Sequence, residues 1–269
     1  MKTVLVTLPV HNEARMLRAS FHRLASELRS AGVNYRLSIA EDGSSDATVE
    51  VIKQLQAEFP DLLVRTSPVR RGRGLALRQI WSEVDADVYA FADADLAAGP
   101  SALIRVVAAV ENGAEVATGS RYCAGALVRR PPLRHLVSLA YNRLVRLAFR
   151  ENIQDHQCGL KAFSREAKSQ LFAMTRENSW AWDTEVLVLA QLSGMRVAEV
   201  PIEWAEYRWT RTPIRRLISD VYLHGVSLLR LKSGLRETIV SGLLARSTGF
   251  VTVPVDSVGP QGTRGGFSR

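Results

Sequence analysis

Residues 87–95 of this chain read Asp-Val-Tyr-Ala-Phe-Ala-Asp-Ala-Asp, a short apolar strand pattern that ends in two aspartates. The small residue Ala94 between Asp93 and Asp95 lets both carboxylates turn toward one point. Hard oxygen ligands of this kind suit Mg²⁺ or Mn²⁺, which keep bound waters and take substrate phosphate oxygens as further ligands. Two plainer interpretations stay open: Asp95 caps a helix that begins near Pro100, or the pair is merely solvated.

Strand and helix patterns alternate along the first half of the chain. Short β-branched and apolar runs predict five strands, at 3–8, 35–41, 62–67, 87–92 and 115–119. The segments between them predict four helices, at 13–31, 46–58, 73–83 and 100–112. Such a series predicts an α/β fold with a mostly parallel central sheet and helices on both faces. Ligands of these sheets bind beyond the carboxyl ends of the strands, so the residues that follow each strand are the candidates for a site.

Polar residues follow the other predicted strands as well. His11 and Glu13 lie after the first strand, Asp42 after the second, Arg73 in a glycine-bearing basic loop after the third, and Arg121 after the fifth. A fixed carboxylate at Asp42 can accept the planar N–H of uracil or guanine, and His11 offers an aromatic neighbour for the base. His11 alone is more typical of a surface histidine, and a single polar strand end is more typical of a helix cap. Five polar strand ends in succession favour a ligand site.

Basic residues are concentrated in the second half of the chain. Residues 1–120 hold 13 basic and 15 acidic side chains, whereas residues 121–236 hold 19 basic and 10 acidic ones. Most of the basic residues are arginine, which binds phosphate through a bidentate fork, although a GC-rich genome also favours arginine. The excess predicts an anionic partner, either a phosphorylated substrate or an acidic membrane surface. Because no nucleic-acid-binding motif accompanies the arginines, nucleic acid is not expected as a partner.

Composition and termini narrow the class of protein further. Apolar residues make up 46% of the chain and charged residues 23%, which predicts a packed core and excludes wholesale disorder. The two cysteines, Cys123 and Cys158, form no CxxC pair, so neither a disulfide framework nor a structural zinc site is expected. No signal peptide is recognised, and no segment reaches ~18 uncharged apolar residues. We therefore expect a cytoplasmic protein, free or peripheral at the inner face of the membrane.

The second half has a different pattern. Residues 131–150 and 213–232 each combine an apolar stripe with several arginines and predict amphipathic helices. Between them the pattern predicts a strand at 159–164, a helix at 181–193 and a strand at 196–202. The last thirty residues are rich in glycine and polar residues and predict a partly disordered tail.

Six short motifs, taken in order, resemble those of a known family. They are PVHNE at 9–13, EDGSSD at 41–46, RRGRG at 70–74, DADL at 93–96, GSRY at 119–122 and QCGLKAF at 157–163. Together with residues 182–204 they resemble the family 2 glycosyltransferases of the GT-A fold, and most of all the polyprenyl- and dolichyl-phosphate mannose and glucose synthases. The resemblance covers residues 3–211. Each motif alone is weak, whereas the ordered set is specific.

The resemblance implies a role for individual residues. The nucleotide-sugar would be held by Pro9, His11, Glu13, Ala40, Asp42, Arg73, Asp93, Ala94, Asp95 and Arg211. Asp95 would be the direct metal ligand, with Asp93 beside it. Arg121 and Arg134 match the positions that bind the lipid phosphate, and Asp155 matches an active-site carboxylate. The resemblance also implies three segments: a GT-A catalytic domain at 1–211 with an acceptor-side helix at 131–150, a basic amphipathic helix at 212–236 and a tail at 237–269.

Three departures from the family pattern leave the substrates open. Ala97 stands where the family often has a glutamine that assists the metal, and His11 stands where an aromatic residue of another kind is usual. The C-terminal spanning helices of many members are not found in this sequence. The donor sugar and its nucleotide, UDP or GDP, are therefore not fixed, and neither is the acceptor.

The favoured interpretation is an inverting glycosyltransferase that uses a nucleotide-diphosphate sugar, Mg²⁺ or Mn²⁺, and a polyprenyl monophosphate as acceptor. The first alternative is a family 2 enzyme that glycosylates a hydroxyl group of a small metabolite, which requires a general base such as Asp155 or Asp183. A sugar-1-phosphate nucleotidyltransferase is disfavoured because residues 8–15 lack its glycine-rich loop. A haloacid-dehalogenase phosphatase is disfavoured because its paired aspartates follow the first strand and not the fourth.

Overall fold

The computed structural model describes residues 2–179, 181–205 and 232–234. The nine strands of these residues are β1 (Val4–Val10), β2 (Tyr35–Glu41), β3 (Leu63–Arg65), β4 (Val88–Ala92), β5 (Val116–Ser120), β6 (Leu127–Arg129), β7 (Leu160–Ser164), β8 (Val197–Pro201) and β9 (Glu203–Ala205). Their seven helices are α1 (Leu17–Ser30), α2 (Thr48–Glu58), α3 (Arg73–Glu83), α4 (Pro100–Glu111), α5 (Pro132–Phe149), α6 (Arg165–Met174) and α7 (Trp182–Leu192).

Seven strands form one sheet, in the order β3-β2-β1-β4-β7-β5-β8. The pairs β2–β3, β1–β2, β1–β4 and β5–β8 are parallel. Strand β7 is the exception, because it lies between β4 and β5 and runs antiparallel to both. Strands β6 and β9 form a separate parallel pair. The prediction of an α/β fold with a mostly parallel central sheet is confirmed.

The core lies between the sheet and the helices that cover it. Strand β4 is buried along its whole length, as expected for a strand covered on both faces. Helix α1 buries Leu17, Phe21, Leu24 and Leu28, whose spacing of three and four residues places them on one face. Helix α4 begins with Pro100, which is favoured in the first turn because its missing N–H would have no helical partner. These helices hold the strand ends, and therefore the loops that follow them, in fixed positions.

Most predicted elements agree with the structure to within a few residues. Helix α6 was missed, although its start has a recognisable signal: the hydroxyl of Ser164 accepts a hydrogen bond from the backbone N–H of Ala167 at 3.1 Å. The short pair β6–β9 was also missed. The amphipathic helix predicted at 213–232, the tail and the boundaries near 211 and 236 lie almost wholly outside the described residues. The chain separates into compact units at 1–232 and 233–269.

In the described part of the chain, no helix combines the length and the apolar composition that a membrane span needs.

Candidate active site

The carboxyl ends of β1, β2 and β4 meet at one edge of the sheet. Pro9 on β1 pairs in register with Ala40 on β2, and the loops that follow both strands emerge side by side. Strand β4 pairs with the other side of β1 and ends at Ala92, directly before the two aspartates. The topology therefore brings together three of the predicted polar strand ends.

Asp42 holds the basic loop after β3. Its Oδ1 accepts a hydrogen bond from the backbone N–H of Arg71 at 2.7 Å, and its Oδ2 accepts one from Gly72 at 2.8 Å. The ring Nδ1 of His11 lies 2.8 Å from the carbonyl oxygen of Asp42. Asp42 thus shapes the site by fixing a loop, and the predicted contact with a nucleobase remains a proposal.

Gly72 is required at the next position of this loop. Its φ of 107° belongs to the region that favours glycine, and a Cβ there would collide with the carbonyl oxygen of Asn178. The backbone N–H of Gly74 donates to the same carbonyl oxygen at 2.9 Å. The basic loop is therefore held between Asp42 on one side and the segment before α7 on the other.

Two further acidic residues take part in these loops. Glu41, which the sequence analysis did not single out, is buried, and its carboxylate accepts hydrogen bonds from the backbone N–H groups of Ser44 and Ser67. Glu13 is half-buried at the start of the α1 turn, and its backbone N–H donates to the hydroxyl of Thr48 at 2.8 Å. The sequence signal for Glu41 is its place as a carboxylate at the end of a strand, just before the turn at Gly43.

The aspartate pair after β4 is fixed by β7. The backbone N–H of Asp93 donates to the carbonyl oxygen of Gly159 at 2.8 Å, just before β7 begins. A Cβ on Gly159 would overlap the carboxylate of Asp93, so only glycine leaves room for that side chain. Asp95 accepts a hydrogen bond from the backbone N–H of Ala97 at 3.1 Å. Asp95 does not cap α4, whose N-cap is Gly99, so the capping interpretation is wrong.

The electrostatic surroundings of Asp93 favour its interaction with a cation. Burial raises the pKa of Asp93 to about 6, and the neighbouring charges of Asp95 and Asp183 act in the same direction. The Arg73 guanidinium opposes them, with its Nη1 at 2.5 Å from Asp93 Oδ1. Ala94, between the two aspartates, is buried.

Asp93 and Asp95 fit a divalent cation that completes its shell with other ligands. Among the described residues no group of three or more histidine, cysteine, aspartate or glutamate side chains converges on one point. Two carboxylates cannot saturate Mg²⁺ or Mn²⁺, which retain waters and bind substrate phosphates through their remaining positions. A cation held here would complete its coordination shell with waters and with the oxygens of a phosphate-bearing ligand.

Arg73 connects Asp93 to a deeper cluster of charges. Its Nη2 donates to the carboxylate of Asp183 in the first turn of α7, and Asp183 also accepts from Lys161 Nζ at 2.9 Å. The Arg73 guanidinium remains charged, because the two carboxylates raise its pKa more than burial lowers it. Asp183 and Lys161 are both fully buried.

Arg121 and Asp155 form a second buried ion pair, after β5. Arg121 Nε and Nη2 each donate to a carboxylate oxygen of Asp155 at 2.7 Å, and the Arg121 backbone N–H adds a third bond at 3.0 Å. Burial alone would raise the pKa of Asp155, but the charge and hydrogen bonds of Arg121 lower it overall. The Arg121 guanidinium also lies 5.1 Å from the ring centre of Trp204.

Neither carboxylate suits the predicted role of general base. Asp155 and Asp183 are both fully buried, and the oxygens of each are bound by cationic side chains. A general base must reach the proton that it removes, and it needs a carboxylate lone pair that is not already engaged by a neighbouring donor. The expectation that Asp155 or Asp183 deprotonates an acceptor hydroxyl does not agree with this geometry.

A group of arginines surrounds the Arg121 pair. Arg134 is half-buried in the first turn of α5, and Arg130 Nη1 donates to the hydroxyl of Ser138 at 3.2 Å. Burial lowers the pKa of Arg130, and the like charges of Arg121 and Arg134 lower it further. Arg130 was missed by the sequence analysis because it lies outside the quoted motifs. Arg211 lies outside the described residues.

Comparison with known proteins agrees with this architecture. The family described as Glycosyl transferase family 2 matches residues 5–172. Glycosyltransferase AglD of Haloferax volcanii is 38% identical over 252 residues, covering 90% of this chain and 40% of AglD. A dolichyl-phosphate beta-glucosyltransferase, ALG5A of Trichomonas vaginalis, is 30% identical over 79% of this chain and 69% of its own length. This chain thus spans less than half of AglD and about two thirds of ALG5A.

A solved structure has the same fold. Glucosyl-3-phosphoglycerate synthase of Mycobacterium tuberculosis, in complex with Mn²⁺, uridine-diphosphate and phosphoglyceric acid, superimposes with a TM-score of 0.65 at 21% identity. The superposition covers 86% of this chain and 78% of the synthase. Fold, motif order and sequence similarity lead to the same conclusion: this chain belongs to glycosyl transferase family 2.

Proposed function

We propose that this glycosyltransferase moves a sugar from a nucleotide-diphosphate sugar to a polyprenyl monophosphate, with inversion at the anomeric carbon. We call the loops at the ends of β1, β2 and β4 the donor side, and the group of Arg121, Arg130, Arg134 and Asp155 the acceptor side. The dolichyl-phosphate enzymes among its relatives support this class of acceptor. The solved synthase structures that contain UDP-glucose support a nucleotide-sugar donor.

One observation carries the choice of acceptor: both candidate bases are buried and held in ion pairs. A hydroxyl acceptor must lose a proton as it attacks, so it needs an available base. A phosphate monoester is already ionised at neutral pH and needs none. The engaged state of Asp155 and Asp183 therefore favours the phosphate acceptor over the hydroxyl acceptor.

The charge of the acceptor side supports the same choice. Arg121, which is paired with Asp155, and Arg134 both lie near enough to Arg130 for their positive charges to depress its pKa. A bound phosphate would relieve this repulsion, and guanidinium groups match its oxygens with paired hydrogen bonds. We assign the direct phosphate contact to Arg134 and Arg130, whose positive charges lie close to that of Arg121.

In the proposed reaction an oxygen of the acceptor phosphate attacks the anomeric carbon of the donor sugar. A new C–O bond forms as the bond from that carbon to the nucleotide diphosphate breaks, and its electron pair leaves with the diphosphate oxygen. No proton transfer is needed. A divalent cation bound by Asp95 and Asp93 would neutralise charge on the leaving diphosphate. The protein's own contribution is to orient the two phosphates and to exclude competing water.

We further propose that α5 places the enzyme on an anionic membrane surface. Leu133, Leu136, Leu144 and Leu147 lie on one face of α5 and are between 54% and 69% exposed. Arg143, also exposed, borders this face. An apolar face flanked by arginines fits the headgroup region of an anionic bilayer, which is where a polyprenyl phosphate resides.

The decisive experiment supplies radiolabelled UDP-glucose or GDP-mannose together with a short polyprenyl phosphate and Mn²⁺, followed by extraction into organic solvent. We expect label in the organic phase from one donor, and none when the phosphate is replaced by the corresponding free polyprenol. Label that enters only the polyprenol, or only a water-soluble hydroxyl compound, would contradict the proposal.

A further inference from the structure

Lys161 is a fully buried lysine with a complete set of hydrogen-bond partners. It lies on β7, and its Nζ donates to Asp183 Oδ1 at 2.9 Å and to the carbonyl oxygens of Cys158 and His156 at 2.6 and 3.2 Å. An ammonium group has three donors, so these three acceptors satisfy it. Lys161 is therefore fixed at the end of the segment that also supplies Gly159 to the aspartate pair.

Asp183 links Lys161 to Arg73. One carboxylate oxygen of Asp183 binds Lys161, and the other accepts from Arg73 Nη2. The opposite nitrogen of the same guanidinium, Nη1, binds Asp93 Oδ1 at 2.5 Å. The planar guanidinium thus spans two carboxylates, one in the interior and one at the donor side.

The exposed fraction of the side chains in this cluster increases from Lys161 toward Asp93. Lys161 and Asp183 are 0% exposed, Arg73 is 10% exposed, and Asp93 is 30% exposed. Both cations lie near the phenyl ring of Phe91, with its centre 5.5 Å from the Arg73 guanidinium carbon and 5.8 Å from Lys161 Nζ. Two positive and two negative charges balance, so the cluster carries no net charge into the core.

Stability alone does not account for such a cluster. Moving charges out of water is costly, and well-packed apolar residues often stabilise an interior as much or more. What apolar residues cannot do is hold a carboxylate in one orientation at the edge of the sheet. Exposure increases in order toward Asp93, which indicates that the cluster holds the Asp93 carboxylate in one orientation.

We propose that Lys161 and Asp183 are positioning residues of the donor side, which hold Arg73 so that Arg73 fixes the carboxylate of Asp93 for binding of metal and diphosphate. Neither residue touches the substrate. This inference rests on the donor half of the proposed function and is independent of the acceptor. In this proposal Asp183 is a positioning residue and not the general base that the sequence suggested.

The test measures calorimetric binding of UDP and of GDP in the presence of Mn²⁺, together with the melting temperature, on the full chain. Lys161→Met leaves Asp183 without one counterion, so we expect both the melting temperature and the nucleotide affinity to fall. The double variant Lys161→Met with Asp183→Asn removes both charges at nearly constant volume. We expect it to recover the melting temperature while its nucleotide affinity stays about tenfold or more below that of the unaltered protein.

Two further variants complete the design. Asp183→Asn alone keeps the shape of the side chain and serves if the double variant does not fold; its nucleotide affinity is also expected to fall about tenfold. Lys168→Met makes the same chemical change on α6, where Lys168 Nζ donates to the Trp81 carbonyl at 3.2 Å, and is expected to bind nucleotide like the unaltered protein.

A double variant that recovers both properties would overturn the positioning role, because a purely structural cluster predicts that result. Unchanged affinity in folded Lys161→Met or Asp183→Asn would overturn it too. If the unaltered protein binds neither nucleotide with Mn²⁺, the donor site of the proposed function fails, and the positioning role fails with it.

Discussion

The donor side and the acceptor side reach their geometry by different means. On the donor side the carboxylates of Glu41 and Asp42 accept backbone N–H groups of neighbouring loops, so the chain itself fixes them. On the acceptor side Arg121 is bound to Asp155 through side-chain atoms, and the positive charges of Arg121 and Arg134 lie near Arg130. The first arrangement is built to hold one shape, whereas the second keeps a positive charge that an anion can neutralise.

The difference is also visible in the charge of the two halves. Residues 1–120 are slightly acidic, and residues 121–236 are strongly basic. A nucleotide diphosphate can bring a divalent cation to neutralise it, so a donor side with carboxylates is sufficient. Under the proposed function, the acceptor phosphate brings no cation of its own and is bound by arginines instead. The two halves of the chain would then bind the two phosphates of one reaction with opposite charges of protein.

The largest effect is expected from Asp95→Ala on the donor side. Loss of the direct cation ligand should lower the rate of sugar transfer by about 10³-fold, in the range seen when one electrostatic stabiliser of a transition state is removed. Initial rates with saturating Mn²⁺ measure it. Asp61→Ala, at an exposed position before β3, is the matched control and should be neutral. Full turnover of folded Asp95→Ala, or of the unaltered enzyme in EDTA, would exclude a metal role.

Arg134→Ala tests the acceptor side. Removing a guanidinium from a bound phosphate should lower transfer to a short polyprenyl phosphate by about 10²-fold, since truncating one partner of a charge pair costs several kcal/mol. Slow hydrolysis of the donor by water should persist. Arg134→Lys should recover only part of the rate because the planar fork is lost. Arg29→Ala, at an exposed position on α1, is the control in the same assay. A tolerant Arg134 would favour a neutral acceptor.

Gly159→Ala tests how tightly the donor side is built. The new Cβ must push the Asp93 carboxylate aside, so we expect the affinity for UDP or GDP with Mn²⁺ to fall about tenfold while the protein still folds. Calorimetry measures the affinity and thermal unfolding checks the fold. Gly234→Ala, where a Cβ meets open space, is the control. Native affinity in Gly159→Ala would mean that the position of Asp93 is not critical.

The smallest effect is expected from Leu136→Ala on the exposed apolar face of α5. Leu136 is 63% exposed, and alanine would offer less apolar area for insertion into the bilayer. We therefore expect sedimentation with anionic liposomes to weaken about threefold to tenfold. Binding should also weaken as salt is added. The exposed Val69 on the basic loop, changed to alanine, is the control. If the unaltered protein fails to bind at low salt, the surface proposal is refuted.

The bounds of strands and helices were easier to predict from the sequence than the pairing of strands and of charged side chains. The strand at 35–41 and the helix at 73–83 have the predicted bounds, because their apolar periodicity and glycine turns are local signals. The antiparallel direction of β7 was not predictable, since a buried strand has the same apolar pattern in either direction. Likewise the sequence named Arg73, Asp155 and Asp183, but not that each is bound in an ion pair. Those pairs join residues far apart in the chain.

Strand β7 lies beside β4 in the sheet but is synthesised much later. Until β7 is available, β4 has a neighbour on one side only, and its other side is a row of unpaired N–H and C=O groups. A ribosome must add about seventy more residues after β4 before β7 exists, which takes several seconds at typical rates of synthesis. During that interval the strand that ends in the aspartate pair is an open edge, able to pair with another nascent chain. The charged residues at its entrance, Asp85 and Asp87, are of the kind that discourages such pairing.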